Sequence, residues 1–321
     1  MRLGWLFPGQ GAQAVGMGRA LAEAHPAARE VFATADRVLG GDFTRLLWDG
    51  PEDELRKTVN AQPALLTHSV AALRLLEAAG LAPALVAGHS LGEYSACVAA
   101  GAIGFEDALK LVRTRGDLMY RAGLESPGTM AAILGLSGAE VEAACAEVAA
   151  AGVVRAANFN APGQVVISGE IAAVEAACER AKARGARRAI RLEVSGAFHS
   201  PLMAAAAEGL AAALDAATIH DARCPVVVNV SGQPLSNAPE LRSALKAQLL
   251  GAVRWEASLE TMLGLGIEGF VEVGTGKVLR GLLRSVNKEA PSWNVEDPAS
   301  LAATLEALGA GQTQSGGGAA R

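Results

Sequence analysis

The stretch "ALVAGHSLGEYSACVAAG", residues 84–101, joins a short apolar run to an alanine-rich helix through Gly88-His89-Ser90-Leu91-Gly92. Ser90, with Glu93 three positions later, is typical of a capping box that closes a helix N-terminus. That interpretation leaves the glycines unexplained, because glycine in a helical first turn costs up to about 1 kcal/mol relative to alanine.

A second interpretation explains both glycines. A strand that turns sharply into a helix through G-x-S-x-G presents the serine at an exposed apex, where a side chain at either glycine would collide with neighbouring backbone. The helix N-terminus then directs unpaired N–H groups, and the positive end of the helix dipole, at the oxygen under attack. We therefore predict that Ser90 is a nucleophile, with helix capping as the alternative.

Outward from this turn, short β-type runs alternate with longer helical ones, a pattern that predicts a parallel sheet covered by helices. Near Gly128 the order changes to β-α-β-β-α-β, which is typical of a ferredoxin-like module. After residue 195 the first pattern resumes. The runs before the change are "LGWLF" (3–7), a helix over 16–39, a helix over 64–80, a strand at 84–88, and helices from Leu91 and Phe105; those after it are a helix from His199, "PVVVNV" (225–230), helices around Leu241 and Leu259, and "GFVEVG" (269–274).

This order predicts an α/β fold in two parts. Residues 1–127 and 196–310 form the core, residues 128–195 form an inserted subdomain, and residues 311–321 form a disordered tail. The cleft between the two parts is a common place for a site.

Composition excludes several classes of function. The net charge of −5 provides no basic field for nucleic acid. The four cysteines are scattered, without metal-ligand or disulfide spacing, so we expect no metal and a reducing cytoplasm. The first residues are too short an apolar run for a signal peptide, and no 18-residue apolar run follows, so we expect a soluble protein with no membrane partner.

A serine nucleophile needs a base, because its hydroxyl is weak at its own pKa. His199, in "SGAFHSPLM", lies at the junction between the small module and the core, so we predict that it is the base. The alternative is that it is a structural histidine. His89 should point to the other side of its strand. We interpret the remaining three as structural: His25, His68 and His220.

Arg115 lies in the middle of an apolar stripe in "FEDALKLVRTRGDLMYRAG". Arg113, two residues away and about 200° round the helix, should face solvent. An inward guanidinium must find an anion, since leaving it unpaired would cost several kcal/mol. The anion is either a buried Asp or Glu, or a substrate carboxylate held by two parallel hydrogen bonds.

Three other motifs carry weaker signals. "GQGAQA" (9–14) resembles a dinucleotide turn and "GTGK" (274–277) a P-loop end, but the first is a lone motif beside Pro8 and the second has Val271 where a glycine belongs. We expect no cofactor. The basic run over 180–191 is either a solvated face or a surface for an acidic partner or coenzyme phosphates.

Five motifs together resemble one family. "LFPGQGAQ", "GHSLGEYSA", "NFNAPGQVVISG", "GAFHS" and "FVEVGTGKVL", in this order across residues 3–285, are similar to malonyl-CoA:acyl carrier protein transacylases of fatty acid synthesis. The resemblance implies a hydrolase-like core with a ferredoxin-like insertion. It implies malonyl-CoA and acyl carrier protein as partners. We also expect a monomer, although the sequence itself does not fix the oligomeric state.

The resemblance also implies roles for residues. Ser90 would be the nucleophile, His199 its base and Arg115 the clamp for the malonyl carboxylate. Of the others, Gln10 and Leu91 would supply oxyanion-hole N–H groups, the Gln248 carbonyl would orient the histidine, and Phe198 would disfavour a branched acyl group.

Two rival functions stay open. A serine hydrolase or thioesterase shares G-x-S-x-G, but its acid and histidine usually follow the serine, with the histidine near the C-terminus. A non-catalytic carrier-binding protein would lack the serine, histidine or arginine, and this chain has all three.

Overall fold

The apolar run "LGWLF" forms the first strand, and its five residues are all buried. A continuous apolar run of this kind is expected where a strand of a parallel sheet is covered on both faces. The computed structural model describes residues 1–310, so the predicted tail over 311–321 lies outside the described residues. The described chain is a mixed α/β protein with two sheets.

The first part of the chain holds two strands and seven helices. The long helix Thr58–Ala78 is buried over most of its surface, because the helices Pro26–Leu39, Gly92–Ala99 and Phe105–Glu125 pack against it. The elements are β1 (Leu3–Phe7), α1 (Arg19–Ala24), α2 (Pro26–Leu39), α3 (Phe43–Asp49), α4 (Glu52–Arg56), α5 (Thr58–Ala78), β2 (Leu85–Gly88), α6 (Gly92–Ala99) and α7 (Phe105–Glu125).

The next part follows the order β-α-β-β-α-β. Its elements are β3 (Thr129–Leu134), α8 (Gly138–Glu147), β4 (Val154–Ala161), β5 (Gln164–Gly169), α9 (Ile171–Ala183) and β6 (Arg188–Arg191), with a 3₁₀ turn at Ala149–Ala151.

The last part returns to the larger sheet. After a 3₁₀ turn at Pro201–Met203 its elements are α10 (Ala204–Ala216), β7 (Val226–Val227), β8 (Pro234–Leu235), α11 (Ala238–Gln248), β9 (Val253–Arg254), α12 (Trp255–Gly264), β10 (Gly269–Val273), α13 (Val278–Val286), β11 (Ser292–Val295) and α14 (Pro298–Ala307).

The larger sheet has the order β11-β10-β1-β2-β7-β8, and only β8 runs antiparallel to its neighbour. Phe7 at the end of β1 is opposite Gly88 at the end of β2. The two loops that follow therefore lie side by side. They touch closely, since a Cβ on Gly9 would be 2.4 Å from the His89 carbonyl oxygen.

The smaller sheet has the order β6-β3-β5-β4-β9. β3 to β6 pair antiparallel, whereas β9, from the last part of the chain, pairs parallel with β4. Asn158 and Phe159 are opposite Val253 and Arg254. This pairing fixes the smaller sheet against the segment that follows α11.

Two sequence predictions need correction. The single helix expected over 16–39 is two helices, because Pro26 lacks an N–H and begins α2 at its first turn. The strand expected at 225–230 is reduced to the two residues of β7, because the Gly232 N–H donates to the Val228 carbonyl and the chain turns there toward β8. Within residues 1–310, no helix is both long and apolar enough to cross a membrane.

Candidate active site

Ser90 lies at the turn from β2 into α6 with a left-handed backbone, φ 50°. A conformation of this kind costs about 1–2 kcal/mol for a residue with a Cβ. A Cβ on Gly88 would lie 1.9 Å from the Gly92 carbonyl carbon, and one on Gly92 would lie 2.1 Å from the Phe7 oxygen. Both positions thus exclude a side chain, as the G-x-S-x-G pattern predicted.

The capping box is not formed. Leu91 is the N-cap of α6, and no side chain among residues 1–310 caps the helix. The Glu93 carboxylate instead accepts a hydrogen bond from the Asn229 backbone N–H at 2.8 Å. The helix-cap interpretation of Ser90 is therefore wrong.

We expect Gly88→Ala to destabilise the fold by about 3 kcal/mol or more, because the added methyl overlaps backbone atoms that cannot move separately. Urea unfolding of the variant measures this change. Gly281→Ala is the matched control, since a Cβ there has no neighbour within 4 Å and alanine favours a helix. A Gly88→Ala protein as stable as the control would contradict the tight turn.

The Ser90 hydroxyl lies 2.8 Å from Nε2 of His199. Nδ1 of the same ring faces two carbonyl oxygens, those of Gln248 at 3.0 Å and Gly251 at 3.2 Å. Because carbonyl oxygens only accept, Nδ1 carries the proton and Nε2 accepts from Ser90. His199 also has a left-handed backbone, φ 59°. Strained residues of this kind concentrate at functional sites.

The imidazole of His199 is neutral at pH 7. Burial lowers its pKa to about 3, and the positive charge of Arg115 contributes in the same direction. A neutral ring in this tautomer can take the proton of Ser90.

Arg115 is 1% exposed and donates hydrogen bonds to three oxygens. They belong to Gln62 at 2.7 Å, the Ser90 hydroxyl at 3.1 Å and the Gln248 side chain at 3.1 Å. The guanidinium also lies over the Tyr94 ring, 5.7 Å from its centroid. In residues 1–310 no carboxylate forms a salt bridge with Arg115, so the buried ion pair considered from the sequence is absent there.

Arg113 differs from its prediction. It is half-buried rather than solvent-facing, because its guanidinium donates to the Val59 carbonyl at 2.8 Å and to the Asn60 side chain at 3.1 Å.

A cavity of about 400 Å³ opens onto Ser90. Its wall includes Gln10, Leu91 and Phe198, the last of them 6% exposed. The backbone N–H groups of Gln10 and Leu91 donate to no atom of residues 1–310, whereas the Gln10 side chain accepts from Thr58. The residues predicted for the site thus line this cavity, with the exception of Gln248. Gln248 lies outside the cavity lining and contacts Ser90, His199 and Arg115.

His89 also lines this cavity, whereas His25, His68 and His220 lie away from it. His89 turns from Ser90 and bonds Asn160 of β4 at 2.8 Å, and His68 bonds the Glu296 carbonyl at 2.9 Å. His25 ends α1, and His220 is exposed. In residues 1–310 no group of three or more His, Cys, Asp or Glu side chains is placed to hold a metal ion.

Much of the basic run is neutralised locally. Arg180 and Arg184 both pair with Glu147, Lys182 pairs with Glu179, and Arg191 lies 3.5 Å from Glu175.

Three residues of the site were not predicted from the sequence: Gln62, Asn229 and Glu93. Gln62 is a buried amide in an apolar run of α5, a signal of the same kind as Arg115. Asn229 follows β7, at the carboxyl end of a parallel strand, where functional side chains often lie. Glu93 was noticed only as a possible cap.

Comparison with known proteins gives a consistent result. Residues 4–303 match the family model described as "Acyl transferase domain". Malonyl CoA-acyl carrier protein transacylase of Bacillus subtilis is 46% identical over 308 residues, which cover 96% of this chain and 97% of the relative. The enzyme of the same name from Escherichia coli K12 is 46% identical over 303 residues, covering 94% and 98%.

Solved structures agree. The malonyl-transacylase in a complex with a type II PKS acyl-carrier protein has a TM-score of 0.93 and 44% identity, covering 96% of this chain and 100% of that one. An acyl carrier protein S-malonyltransferase from Vibrio cholerae has a TM-score of 0.92 and 44% identity, covering 95% and 100%.

Proposed function

The chain belongs to the malonyl CoA-acyl carrier protein transacylase family of acyltransferases, and on this basis we propose that it transfers malonyl from malonyl-CoA to the phosphopantetheine thiol of acyl carrier protein through a malonyl-Ser90 intermediate. The proposal rests on the two hydrogen bonds of the Ser90 hydroxyl. One joins it to His199, and the other is donated to it by Arg115. The product would supply fatty acid elongation.

In the first half-reaction, Nε2 of His199 takes the Ser90 proton as the oxygen attacks the thioester carbonyl. The negative oxygen of the tetrahedral intermediate accepts from the N–H groups of Gln10 and Leu91. The carbon–sulfur bond then breaks, and the coenzyme A sulfur leaves with the proton held by His199. The Gln248 carbonyl holds the ring in the required tautomer.

In the second half-reaction the carrier thiol attacks the malonyl ester. His199 takes the thiol proton and returns it to the Ser90 oxygen as the ester bond breaks. Each half-reaction ends before the next begins, so the kinetics are ping-pong.

Arg115 supplies selectivity for a carboxylate. A malonyl carboxylate that enters the cavity can accept hydrogen bonds from two N–H groups of the guanidinium. This supports the proposed role of Arg115 as the clamp for that carboxylate. An acetyl group would leave that buried charge without an anion. Phe198 lines the same cavity, and its ring would leave little space for a branched acyl group.

The arrangement of sheets supports the proposed domain organisation. We assign residues 1–127 and 196–310 to a hydrolase-like core and residues 128–195 to a ferredoxin-like subdomain, whose strands have the order β6-β3-β5-β4. The four cysteines are free, which fits the proposed cytoplasmic location. We propose a monomer.

Intact mass spectrometry with malonyl-CoA tests the proposal. We expect a malonyl adduct that disappears when acyl carrier protein bearing phosphopantetheine is added, while the carrier gains the same mass. An adduct that decays to free malonate at one rate with or without carrier would make the protein a thioesterase. No adduct at all would reject the serine intermediate.

A further inference from the structure

Asn229 is fully buried and holds the turn around Ser90 from two sides. Its side-chain oxygen accepts from the Ser90 backbone N–H at 2.8 Å. Its side-chain NH₂ donates to the Gly88 carbonyl at 2.7 Å. One amide therefore joins the end of β2 to the left-handed residue that follows it.

Asn229 is itself fixed through its backbone. Its N–H donates to the Glu93 carboxylate at 2.8 Å, and its carbonyl accepts from the Arg254 N–H at 2.9 Å. Glu93 is fully buried in the first turn of α6. The hydrogen bonds thus form a closed ring from Ser90 through Asn229 and Glu93 back to α6, the helix that follows the nucleophile.

The remaining backbone group of the nucleophile is also held. The Ser90 carbonyl accepts from the Gln248 side-chain NH₂ at 2.8 Å. Asn229 does not line the cavity, so it has no route to substrate. Its side-chain contacts both concern the position of the turn.

We propose that Asn229 is a positioning residue for acyl transfer and that Glu93 anchors it; this inference rests on the proposed function. The side-chain amide keeps Ser90 in its left-handed conformation. The hydroxyl then stays in line with His199, and the Leu91 N–H stays directed at the oxyanion. Small displacements of reacting groups have large effects on rate, because a misplacement of about 1 Å can cost roughly 10²-fold.

Single-turnover formation of the malonyl-enzyme tests this role. We expect Asn229→Ala to slow acylation at saturating malonyl-CoA by about 10²-fold while half-saturation changes less than about threefold. The acid limb of the pH profile should stay in place, because Asn229 does not contact His199. A generally loosened site would change half-saturation and the pH profile together, and that result would overturn the proposal.

Variants of Glu93 give a second test. Glu93→Ala removes the acceptor of the Asn229 N–H and should slow acylation. Glu93→Gln keeps an oxygen there and should recover most of the lost rate. If Asn229→Ala does not fold, this pair decides the matter, and equal acylation rates in Glu93→Ala and the unaltered protein would reject the anchor.

Ser231→Ala is the matched control. Ser231 lies two residues beyond Asn229, and within residues 1–310 its hydroxyl bonds only the Gln233 N–H of the same loop. We expect its acylation rate to be unchanged. The unaltered protein must form the adduct in the same assay, so failure of the proposed function is distinguishable from failure of this inference.

Discussion

Ser90→Ala is expected to abolish the malonyl-enzyme and to lower transfer to the carrier by about 10⁴-fold or more. The change removes only the oxygen that lies 2.8 Å from Nε2 of His199. It leaves the turn unchanged, because the Ser90 backbone is held by Asn229 and Gln248. Intact mass after mixing with malonyl-CoA measures the adduct directly.

Ser95→Ala provides a matched control in the same helix. Ser95 is 1% exposed, and its hydroxyl has no partner within residues 1–310. We expect this variant to form the adduct at the normal rate. An adduct that persists in Ser90→Ala would place the acyl group on another side chain and would exclude Ser90 as the nucleophile.

Local rules predicted the turn correctly because its physical demands are local. G-x-S-x-G encodes a strand end, a left-handed residue and a helix start within five positions, and two backbone approaches require the glycines. The apolar run "LGWLF" likewise predicted a strand, which is β1. The alternation of short and long elements predicted a parallel sheet, which is present.

Pairings between distant segments were not predictable from local pattern. β9 is two residues long, and it joins the smaller sheet by pairing with β4, with Asn158 opposite Val253. β11 extends the larger sheet beyond β10, yet "SWNV" has no strong strand pattern. Such short strands exist because a sheet edge is available to them.

The residues of the site also differ in how far the sequence alone could predict them. Arg115 was detectable because a charge interrupts an apolar helical stripe. Its neutral partners Gln62 and Gln248 come from separate helices, 53 and 133 residues away in sequence. Their meeting depends on how α5, α7 and α11 pack. Asn229 was missed for the same reason, since its importance lies in contacts with a turn 139 residues earlier.

Arg115→Ala is expected to reduce malonyl transfer by about 10²-fold or more while acetyl transfer is kept or increased. Loss of a buried charge-assisted pair costs about 2–5 kcal/mol, and that loss applies only to a substrate with a carboxylate. Initial rates with malonyl-CoA and acetyl-CoA measure the two effects. Arg113→Ala is the control, because this arginine lies on the same helix and bonds Val59 and Asn60 instead of the site.

An increase in acetyl transfer would follow from the effect of Arg115 on the pKa of His199, the proposed base. The charge of Arg115 is one of the causes that lower the pKa of His199 to about 3. Removing that charge raises this pKa, so the ring accepts the Ser90 proton more readily. The acid limb of acylation, measured with acetyl-CoA, should therefore move to higher pH in Arg115→Ala, since the protonated ring cannot act as a base.

A malonyl group would suit this site because of its negative charge. Its carboxylate, bound to the guanidinium, would offset the positive charge that opposes protonation of His199, so the substrate itself would strengthen the base. Acetyl-CoA cannot do this, and selectivity would then arise in the chemical step as well as in binding. Equal losses of malonyl and acetyl transfer in Arg115→Ala, with an unmoved pH limb, would mean that Arg115 only supports the fold through Gln62 and Gln248.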